Sequence, residues 1–262
     1  MKYSKNDFQL MRNAANLAMR TLDFISQYVK EGVTTEELDN LCNDFIEQHG
    51  AVSACKGYNG YPKYTCISLN HVICHGIPSS TRKLRSGDIL NIDVTVILDG
   101  FYGDTSRMYK VGKVSPIAQK LIDITYQSLW NAILAIKPFD PLNKIGDVIS
   151  KTISKTGFSI VRDFCGHGVG RVFHESPTVL HFKNTYSDMP LEPGMIFTIE
   201  PMINVGKPDV KIMPDDWTAV TKDHSLSAQF EHSIGITENG VEVFSITEDE
   251  EKVFGKYLDK WD

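Results

Sequence analysis

Long apolar runs are missing from this sequence of 262 residues. The longest uninterrupted apolar run covers residues 132–136, whereas a helix that crosses a bilayer needs about 20 such residues. Long blocks of like charge are missing too, because 33 acidic and 27 basic side chains are mixed along the chain and leave a net charge of −6. These absences exclude membrane insertion and a surface built to follow a phosphate backbone. We therefore expect no membrane partner and no specific nucleic-acid partner.

Cysteine motifs are also absent. The five cysteines are odd in number and form no Cys-x-x-Cys pair, so they predict neither a disulfide framework nor a thiolate zinc site. The first residues contain no apolar core of a signal peptide. A reducing compartment fits this cysteine usage, and we predict a cytoplasmic protein. Because 42% of the residues are apolar, the chain can build a full core and is not disordered.

A pattern of two helices followed by a hairpin occurs twice. Apolar spacing predicts a helix from Ser4 to near Gly32, and a second helix begins with the capping-box pair Thr34 and Glu37. Asp99-Gly100 predicts a hairpin turn within residues 88–109. The second set comprises a helix opened by Ser115 and Pro116, a shorter helix ended by Gly157, and strands at 195–203 and 227–246, the latter turning at Asn239-Gly240.

The two sets also share a motif. Leu-x-x-Gly-x-Ile-x-x-Ile followed by an acid occurs at residues 84–93 and again at 191–200. We interpret it as an internal repeat, with chance similarity between two strands as the competing interpretation. It predicts a single catalytic domain over residues 1–262, with pseudo-twofold halves of about 1–113 and 114–250.

The acids in these strands are the most informative residues. A two-residue turn at Asp99-Gly100 places Asp93 opposite Ser106 and Asp104 opposite Thr95. Asp93 and Asp104 are then diagonal neighbours on one face of the hairpin, close enough to hold the same cation.

The second half repeats this feature. Glu200 and Glu231 interrupt strand patterns, and His75 and His167 lie in glycine-flanked turns. Any one of these acids alone could be a solvated edge residue. Together they form an oxygen-rich set that suits two divalent first-row ions, and such a pair activates water for hydrolysis.

The motifs around these residues resemble those of the type I methionine aminopeptidases over almost the whole chain. They are Gly57-Tyr58-Asn59-Gly60-Tyr61-Pro62, Cys74-His75-Gly76-Ile77-Pro78, Asn91-Ile92-Asp93-Val94, Tyr102-Gly103-Asp104-Thr105-Ser106-Arg107, Gly166-His167-Gly168-Val169-Gly170, Phe173-His174-Glu175, Phe197-Thr198-Ile199-Glu200-Pro201 and Ser227-Ala228-Gln229-Phe230-Glu231-His232.

This resemblance implies an α+β protein with the pita-bread (creatinase/aminopeptidase) fold, in which two pseudo-twofold-related halves form a curved antiparallel sheet flanked by helices. It implies metal-dependent removal of N-terminal (initiator) methionine from nascent polypeptides and peptides when the second residue is small. The short bacterial-type form is expected, because the first helix begins near Met1 and leaves no room for an N-terminal zinc-binding extension.

The resemblance also implies roles for individual residues. Glu200 would be both a metal ligand and the proton shuttle, and His75 and His174 would hold the scissile peptide and its oxyanion. From the Phe-His-Glu-Ser-Pro context alone, His174 could equally be a surface histidine in a loop. The implied metal ligands are Asp93, Asp104, His167, Glu200 and Glu231.

The implied methionine pocket draws on aromatic and sulfur side chains, for which ordinary core packing is the competing interpretation. With His75 and His174, the substrate-binding set comprises Cys55, Tyr58, Tyr61, Cys66, Phe173, Met202 and Trp217. A monovalent cation is implied at Asn70, Val72 and Ser227, which could equally be polar groups of turns. His71 stands where such proteins often have an acid.

The cofactors implied are two divalent ions from among cobalt, manganese, iron, zinc and nickel, together with the monovalent cation. The partners are peptides with N-terminal methionine, with the ribosome as a candidate, and a monomer is expected. A proline-specific peptidase of the same fold is one alternative function, although such proteins carry an additional N-terminal domain. A non-catalytic binding module on this scaffold is another, and such modules lose the metal ligands that this chain retains.

Overall fold

The computed structural model describes residues 2–186 and 188–261. Most of the helical residues lie in four long helices, and a short one follows near the end of the chain. The helices are α1 (Lys5–Ile25), α2 (Thr35–Gln48), α3 (Pro116–Ala135), α4 (Lys144–Ile153) and α5 (Glu248–Phe254), with 3₁₀ turns at Ser26–Tyr28, Tyr58–Gly60 and Gly255–Tyr257.

The strands are mostly short, apart from one long hairpin. They are β1 (Val52–Ser53), β2 (Cys66–Leu69), β3 (Val72–Cys74), β4 (Ile89–Leu98), β5 (Phe101–Lys110), β6 (Ser159–Ile160), β7 (Gly166–Gly168), β8 (Glu175–Val179), β9 (Ile196–Ile199), β10 (Met202–Asn204), β11 (Val210–Ile212), β12 (Ala219–Thr221), β13 (Ser227–Gln229), β14 (Glu231–Ile236) and β15 (Val241–Val243).

The helix boundaries follow the capping residues. Thr34 and Ser115 cap α2 and α3 as predicted, and Ser4 caps α1. Each of the three accepts a hydrogen bond from a backbone N–H in the first turn. The first helix was expected to continue to near Gly32, but α1 ends at Ile25. The last apolar residue of its stripe, Val29, lies beyond a 3₁₀ turn at residues 26–28 and has a non-helical ψ of 88°.

The large sheet has the order β1-β4-β5-β14-β9-β7-β8, with β2 also on β4 and β15 on β14. In the β4–β5 hairpin, Asp93 pairs with Ser106 and Asp104 with Thr95, which confirms the predicted register. Helices α1 and α2 pack with β4 and β5 around one core, and α3 and α4 pack with β9 and β14 around a second. The helices cover one face of the sheet, and the acidic side chains lie on the other face.

The two strands predicted in the second half are each interrupted. The segment 195–203 divides into β9 and β10, and 227–246 contains β13, β14 and β15, with the turn at Asn239-Gly240 between the last two. Pro201 has no backbone N–H for the ladder, so pairing stops beside Glu200. The register nevertheless continues across the break: Ile199 pairs with His232, and Met202 pairs with Gln229.

The arrangement is the α+β class with a curved antiparallel sheet flanked by helices, as predicted. In the described part of the chain, no helix is both long and apolar enough to cross a membrane.

Candidate metal centre and substrate cavity

Strand register brings the four predicted acids to one face of the large sheet. Asp93 lies opposite Ser106, and Ser106 lies opposite Glu231 on the next strand. The β9–β14 register, continued by one residue, places Glu200 beside Glu231. Asp104 is two residues from Ser106 along β5 and therefore shares its face. Three acids in strands and Glu200, in the break between β9 and β10, thus converge on one point.

His167 approaches this group from β7. Its Nε2 atom lies 3.6 Å from Asp104 Oδ2 and 3.6 Å from Glu200 Oε1. One ligand atom each from Asp104, His167 and Glu231 lie within 4.8 Å of one another, a spacing that allows them to hold one ion. The structure therefore brings the five predicted ligands together, and Asp93 and Glu200 adjoin the tightest group of three.

The glycines beside His167 lie in a strand and not in the predicted turn. Residues Gly166–Gly168 form the strand β7 between β8 and β9. A Cβ atom on Gly166 would lie 2.4 Å from the Thr198 carbonyl oxygen, and one on Gly168 would lie 2.3 Å from that of Ser176. Only glycine permits these backbones to approach so closely, which places the imidazole over the acids.

The electrostatics of the acids favour a cation. Burial raises the pKa of Asp104 to about 6 and raises those of Asp93, Glu200 and Glu231 well above the usual range, and repulsion from neighbouring acids adds to the effect at the last three. The Oδ1 atom of Asp93 is buried without a hydrogen-bond partner in the described part of the chain. No lysine or arginine is among the described residues that line the site. A divalent ion fits this donor set, because it would neutralise charges that the protein leaves uncompensated.

The imidazole of His167 is suited to the same role. Burial lowers its pKa to about 4, so the ring is neutral near pH 7 and keeps a lone pair for coordination. Its Nδ1 atom lies 3.1 Å from the Gly168 carbonyl oxygen. A proton on Nδ1 would satisfy that carbonyl and leave Nε2 free toward the acids.

A cavity of about 600 Å³ adjoins the acids. All nine residues of the predicted substrate-binding set line it, together with the five predicted metal ligands. The pocket therefore joins the aromatic and sulfur side chains to the candidate metal centre, and it includes residues such as Cys55, Cys66 and Met202 that are themselves buried.

The two candidate catalytic histidines line this cavity from two segments that are distant along the chain. His75 follows β3 with a left-handed φ of 56° and meets Phe164 edge-on at 5.4 Å. His174 stacks on Tyr58, and its Nδ1 atom lies 2.9 Å from the tyrosine hydroxyl. Burial lowers the pKa of both imidazoles, that of His174 to about 4, and His167 lowers both further. Each ring is thus neutral near pH 7.

Comparison with known proteins agrees with this geometry. The sequence model of metallopeptidase family M24 matches residues 9–238. The chain belongs to metallopeptidase family M24. It is 53% identical over 246 residues to a methionine aminopeptidase of Escherichia coli (strain K12), covering 93% of both chains. Its structure is similar to the crystal structure of a methionine aminopeptidase from Rickettsia prowazekii, with a TM-score of 0.92, 48% identity, and coverage of 94% of this chain and 99% of that one.

A solved structure with lower sequence identity is similar to this chain in fold alone. The prolidase from Pyrococcus furiosus superposes with a TM-score of 0.74 at 22% identity, and the match covers 94% of this chain and 66% of that one. The M24 comparisons confirm the pita-bread fold and the resemblance to the methionine aminopeptidases predicted from the motifs.

The predicted monovalent-cation residues of this M24 chain lie away from the cavity. Asn70 is in the turn between β2 and β3, and its carbonyl oxygen accepts the Ser227 N–H at 2.8 Å. Its side chain donates to Asp88 and accepts from the backbone of Ile89. These contacts bring Asn70 and Ser227 together, and they agree with both interpretations, a cation site and polar groups of a turn.

Several residues around the M24 centre were missed by sequence reasoning. The Nε2 atom of His181 accepts the Glu200 N–H at 3.1 Å, and burial lowers the pKa of His181 to about 3. Thr198 and Gln229 both donate to the Glu200 carboxylate. Thr198 and Gln229 stand inside the quoted motifs, so their proximity to acids was a usable signal. For His181 the sequence offers no signal, because its segment approaches Glu200 only through tertiary packing.

Proposed function

We propose that this protein removes the N-terminal methionine from polypeptides and peptides whose second residue is small, with the help of divalent metal ions. The observation that carries the proposal is the convergence of four acids, three of them buried, and a neutral histidine beside a cavity with sulfur and aromatic walls. The methionine aminopeptidases that share about half of its sequence support the same activity.

The cavity walls support methionine as the first residue. Cys55, Cys66, Tyr61 and Phe173 form one buried cluster, and Trp217 packs against it. Such polarizable and aromatic surfaces make favourable contacts with a thioether. Specificity would then come from the fit of a flexible, unbranched side chain against these walls, and branched or larger side chains would fit less well.

The five acid and imidazole side chains would hold two divalent ions, for which we propose manganese, iron, cobalt, zinc or nickel. When bound, such ions supply Lewis-acid polarisation of the scissile carbonyl and a water of lowered pKa. The residues named are Asp93, Asp104, His167, Glu200 and Glu231.

The remaining steps belong to protein side chains. His75 and His174 would bind the scissile peptide and donate hydrogen bonds to the carbonyl oxygen as negative charge develops there. Glu200 would take one proton from the attacking water and return it to the leaving amine nitrogen, so that the carboxylate ends in its initial state. The stacked pair of Tyr58 and His174 would keep that imidazole oriented.

A metal-replacement assay tests the proposal. Protein stripped with a chelator should not cleave Met-Ala-Ser, and manganese or cobalt should restore the release of methionine. Met-Leu-Ser and Leu-Ala-Ser should be poor substrates of the same preparation. The matched control Asp104→Asn should stay inactive at the same metal concentration, which separates a site-specific effect from free metal.

The same assay discriminates the alternatives. Cleavage of Leu-Pro with no release of methionine would favour a proline-specific peptidase and contradict the proposal. Metal binding without cleavage of any peptide, while a control aminopeptidase remains active, would favour a non-catalytic binding module.

We further propose that the protein acts as a monomer in the cytoplasm, on chains that emerge from the ribosome. The five free cysteines are consistent with a reducing compartment. Sedimentation of the purified protein, alone and mixed with ribosomes, tests both the oligomeric state and the association.

A further inference from the structure

The two roles predicted for Glu200, metal ligand and proton shuttle, require two different oxygen atoms. As a ligand it must direct one oxygen toward the metal centre, and as a proton shuttle it must keep the other available. A free carboxylate rotates about its terminal bond, so the side chains that hold it decide which oxygen does what. Glu200 is 7% exposed, and its neighbours can therefore define its orientation.

The two oxygens of Glu200 have different surroundings. Oε1 accepts a hydrogen bond of 2.8 Å from the Thr198 hydroxyl and lies 3.6 Å from His167 Nε2. Oε2 accepts a hydrogen bond of 3.1 Å from the side-chain amide of Gln229 on β13. Since His167 Nε2 is equally close to Asp104, Oε1 is the oxygen that faces the candidate ligands.

Both donors are themselves fixed in place. The Thr198 hydroxyl also accepts the His167 backbone N–H at 3.0 Å, so one hydroxyl connects two predicted ligands. The backbone of Gln229 pairs with Met202 in the three-stranded sheet β13-β10-β6, and its carbonyl oxygen accepts from the Asn91 amide at 2.9 Å. Gln229 is 2% exposed, and its side-chain Oε1 has no hydrogen-bond partner in the described part of the chain.

We propose that Thr198 and Gln229 are positioning residues that divide the work of Glu200 between its two oxygens. Thr198 turns Oε1 toward the metal ligands, and Gln229 holds Oε2 as the oxygen that receives and returns the proton. The role of Oε1 in metal coordination depends only on the predicted ligand set. The role of Oε2 in proton transfer rests on the proposed peptidase function.

Isosteric variants that lack the donors test the proposal. Thr198→Val and Gln229→Met are compared with the conservative Thr198→Ser, and Asn204→Leu is the matched control. Asn204 is a fully buried amide in the same three-stranded sheet, and its side-chain oxygen has no hydrogen-bond partner among the described residues, but its side chain donates to the Lys207 carbonyl oxygen. Each variant is measured by calorimetric titration of the metal-free protein with manganese, by thermal melting, and by kcat and KM for Met-Ala-Ser.

We expect the two donors to have separate effects. Thr198→Val should weaken manganese binding by about 10- to 100-fold, whereas Thr198→Ser should keep it within about threefold of the wild type because the hydroxyl remains. Gln229→Met should retain manganese affinity but lower kcat by about 10- to 100-fold with little change in KM. Asn204→Leu should change neither quantity.

Several outcomes would overturn the proposal. Equal loss of manganese affinity in Thr198→Val and Gln229→Met would show that the oxygens are not divided, and an unchanged kcat in Gln229→Met would remove its role. A similar loss in Asn204→Leu would indicate a general disturbance of the sheet.

A double-mutant cycle separates positioning from folding. In a Glu200→Ala background, Thr198→Val should weaken manganese binding by a smaller factor than in the wild type if it acts through Glu200, with any remaining loss due to its bond to His167. A fully additive loss would contradict the role at Glu200. This cycle needs no peptidase activity. A wild type that binds manganese but cleaves nothing would therefore refute the proposed function and leave the Thr198 result decisive.

Discussion

A buried acid inside a strand costs free energy that a cation would offset. Asp93 has apolar neighbours at Ile92 and Val94 in the chain, and its side chain is directed to the opposite face. Its Oδ1 has no hydrogen-bond partner among the described residues, and burial together with repulsion from Asp104 raises its pKa. Uncompensated charge of this kind is a mark of a functional site rather than of a stable core.

Substitutions of different histidines around these acids should have different effects on metal binding and on turnover. We expect His167→Ala to weaken metal binding and activity together, because its Nε2 atom is directed to the acids. We expect His75→Ala to bind metal nearly as the wild type does and to lose about 100-fold or more in turnover, because it would contact the transition state.

Calorimetric metal titration of both variants beside their kinetics distinguishes these two cases. A His75→Ala protein that cannot hold metal would show that His75 belongs to the ligand set.

The loop at residues 170–175 carries Phe173 and His174 and is held by the first residues of the chain. Tyr3 is buried, its hydroxyl accepts the Arg171 N–H at 3.1 Å, and it donates to Glu175 at 2.5 Å. Its backbone N–H also donates to the Gly194 carbonyl oxygen just before β9. The segment before α1 thus buttresses one wall of the cavity.

Tyr3→Phe removes only the hydroxyl, so we expect a looser loop. The loss of a hydrogen bond to a charged group should lower the free energy of unfolding by about 1–2 kcal/mol. Misplacement of His174 should lower kcat/KM by about 10-fold, while metal affinity stays unchanged. Urea unfolding and kinetics check this, with the exposed Tyr257→Phe as the matched control. Wild-type kcat/KM in Tyr3→Phe would contradict the coupling.

Helix α5 is attached through the carboxyl group of Glu250. That group accepts from the Thr247 backbone and from the Tyr126 hydroxyl, and it lies 3.4 Å from His232 Nε2. Burial would raise the pKa of Glu250, but the electrostatic interaction with His232 and the hydrogen bonds together hold it well below its usual range. Arg107 on β5 faces it as well.

A lowered folded-state pKa means that the contribution of Glu250 is present above the ordinary carboxyl pKa of about 4.3 and is lost as the pH falls further. We expect Glu250→Gln to reduce the free energy of unfolding by about 2 kcal/mol near pH 7. The deficit relative to the wild type should shrink below about pH 4. Urea unfolding across this range tests the sign, with the exposed Glu248→Gln as control. A deficit that grows in acid would refute it.

The motif shared by the two halves of the chain predicts an approximate symmetry. The central strands of the large sheet follow the order β4-β5-β14-β9, with Asp93 and Asp104 on one side of the middle and Glu231 and Glu200 on the other. We propose that residues 1–262 form one catalytic domain whose halves, about 1–113 and 114–250, are related by a twofold rotation. Superposition of the Asp93 strand on the Glu200 strand tests this, and a match that fails beyond those two strands would contradict it.

Metal loading should stabilise the entire molecule, because the predicted ligands come from both of the predicted halves. At manganese concentrations about 100-fold above the dissociation constant, binding adds about 2.7 kcal/mol, which for a chain of this length raises Tm by about 5–10 °C. Asp93→Asn removes one unpartnered charge, so its metal-free form should be at least as stable as the wild type while its rise in Tm is smaller. Differential scanning calorimetry with and without manganese measures both, and an undiminished rise in Asp93→Asn would exclude Asp93 as a ligand.

The features that could be predicted from the sequence alone are those that depend on interactions between residues close together in the chain. The capping residues Ser4 and Thr34 act within one helical turn, and the Asp99-Gly100 turn sets every pair of the β4–β5 hairpin. The juxtaposition of Asp93 and Asp104 was therefore predictable. The motif resemblance extended this to the other ligands without showing how they meet.

Long-range packing decided the rest. The position of Glu200 beside Glu231, the strand rather than a turn at His167, and the contacts of His181 and Gln229 with Glu200 all join segments distant along the chain. No local propensity encodes such contacts, because they depend on how close two backbones come. The cavity beside the acids exists for the same reason, since its walls belong to segments that meet only when both halves of the sheet are assembled.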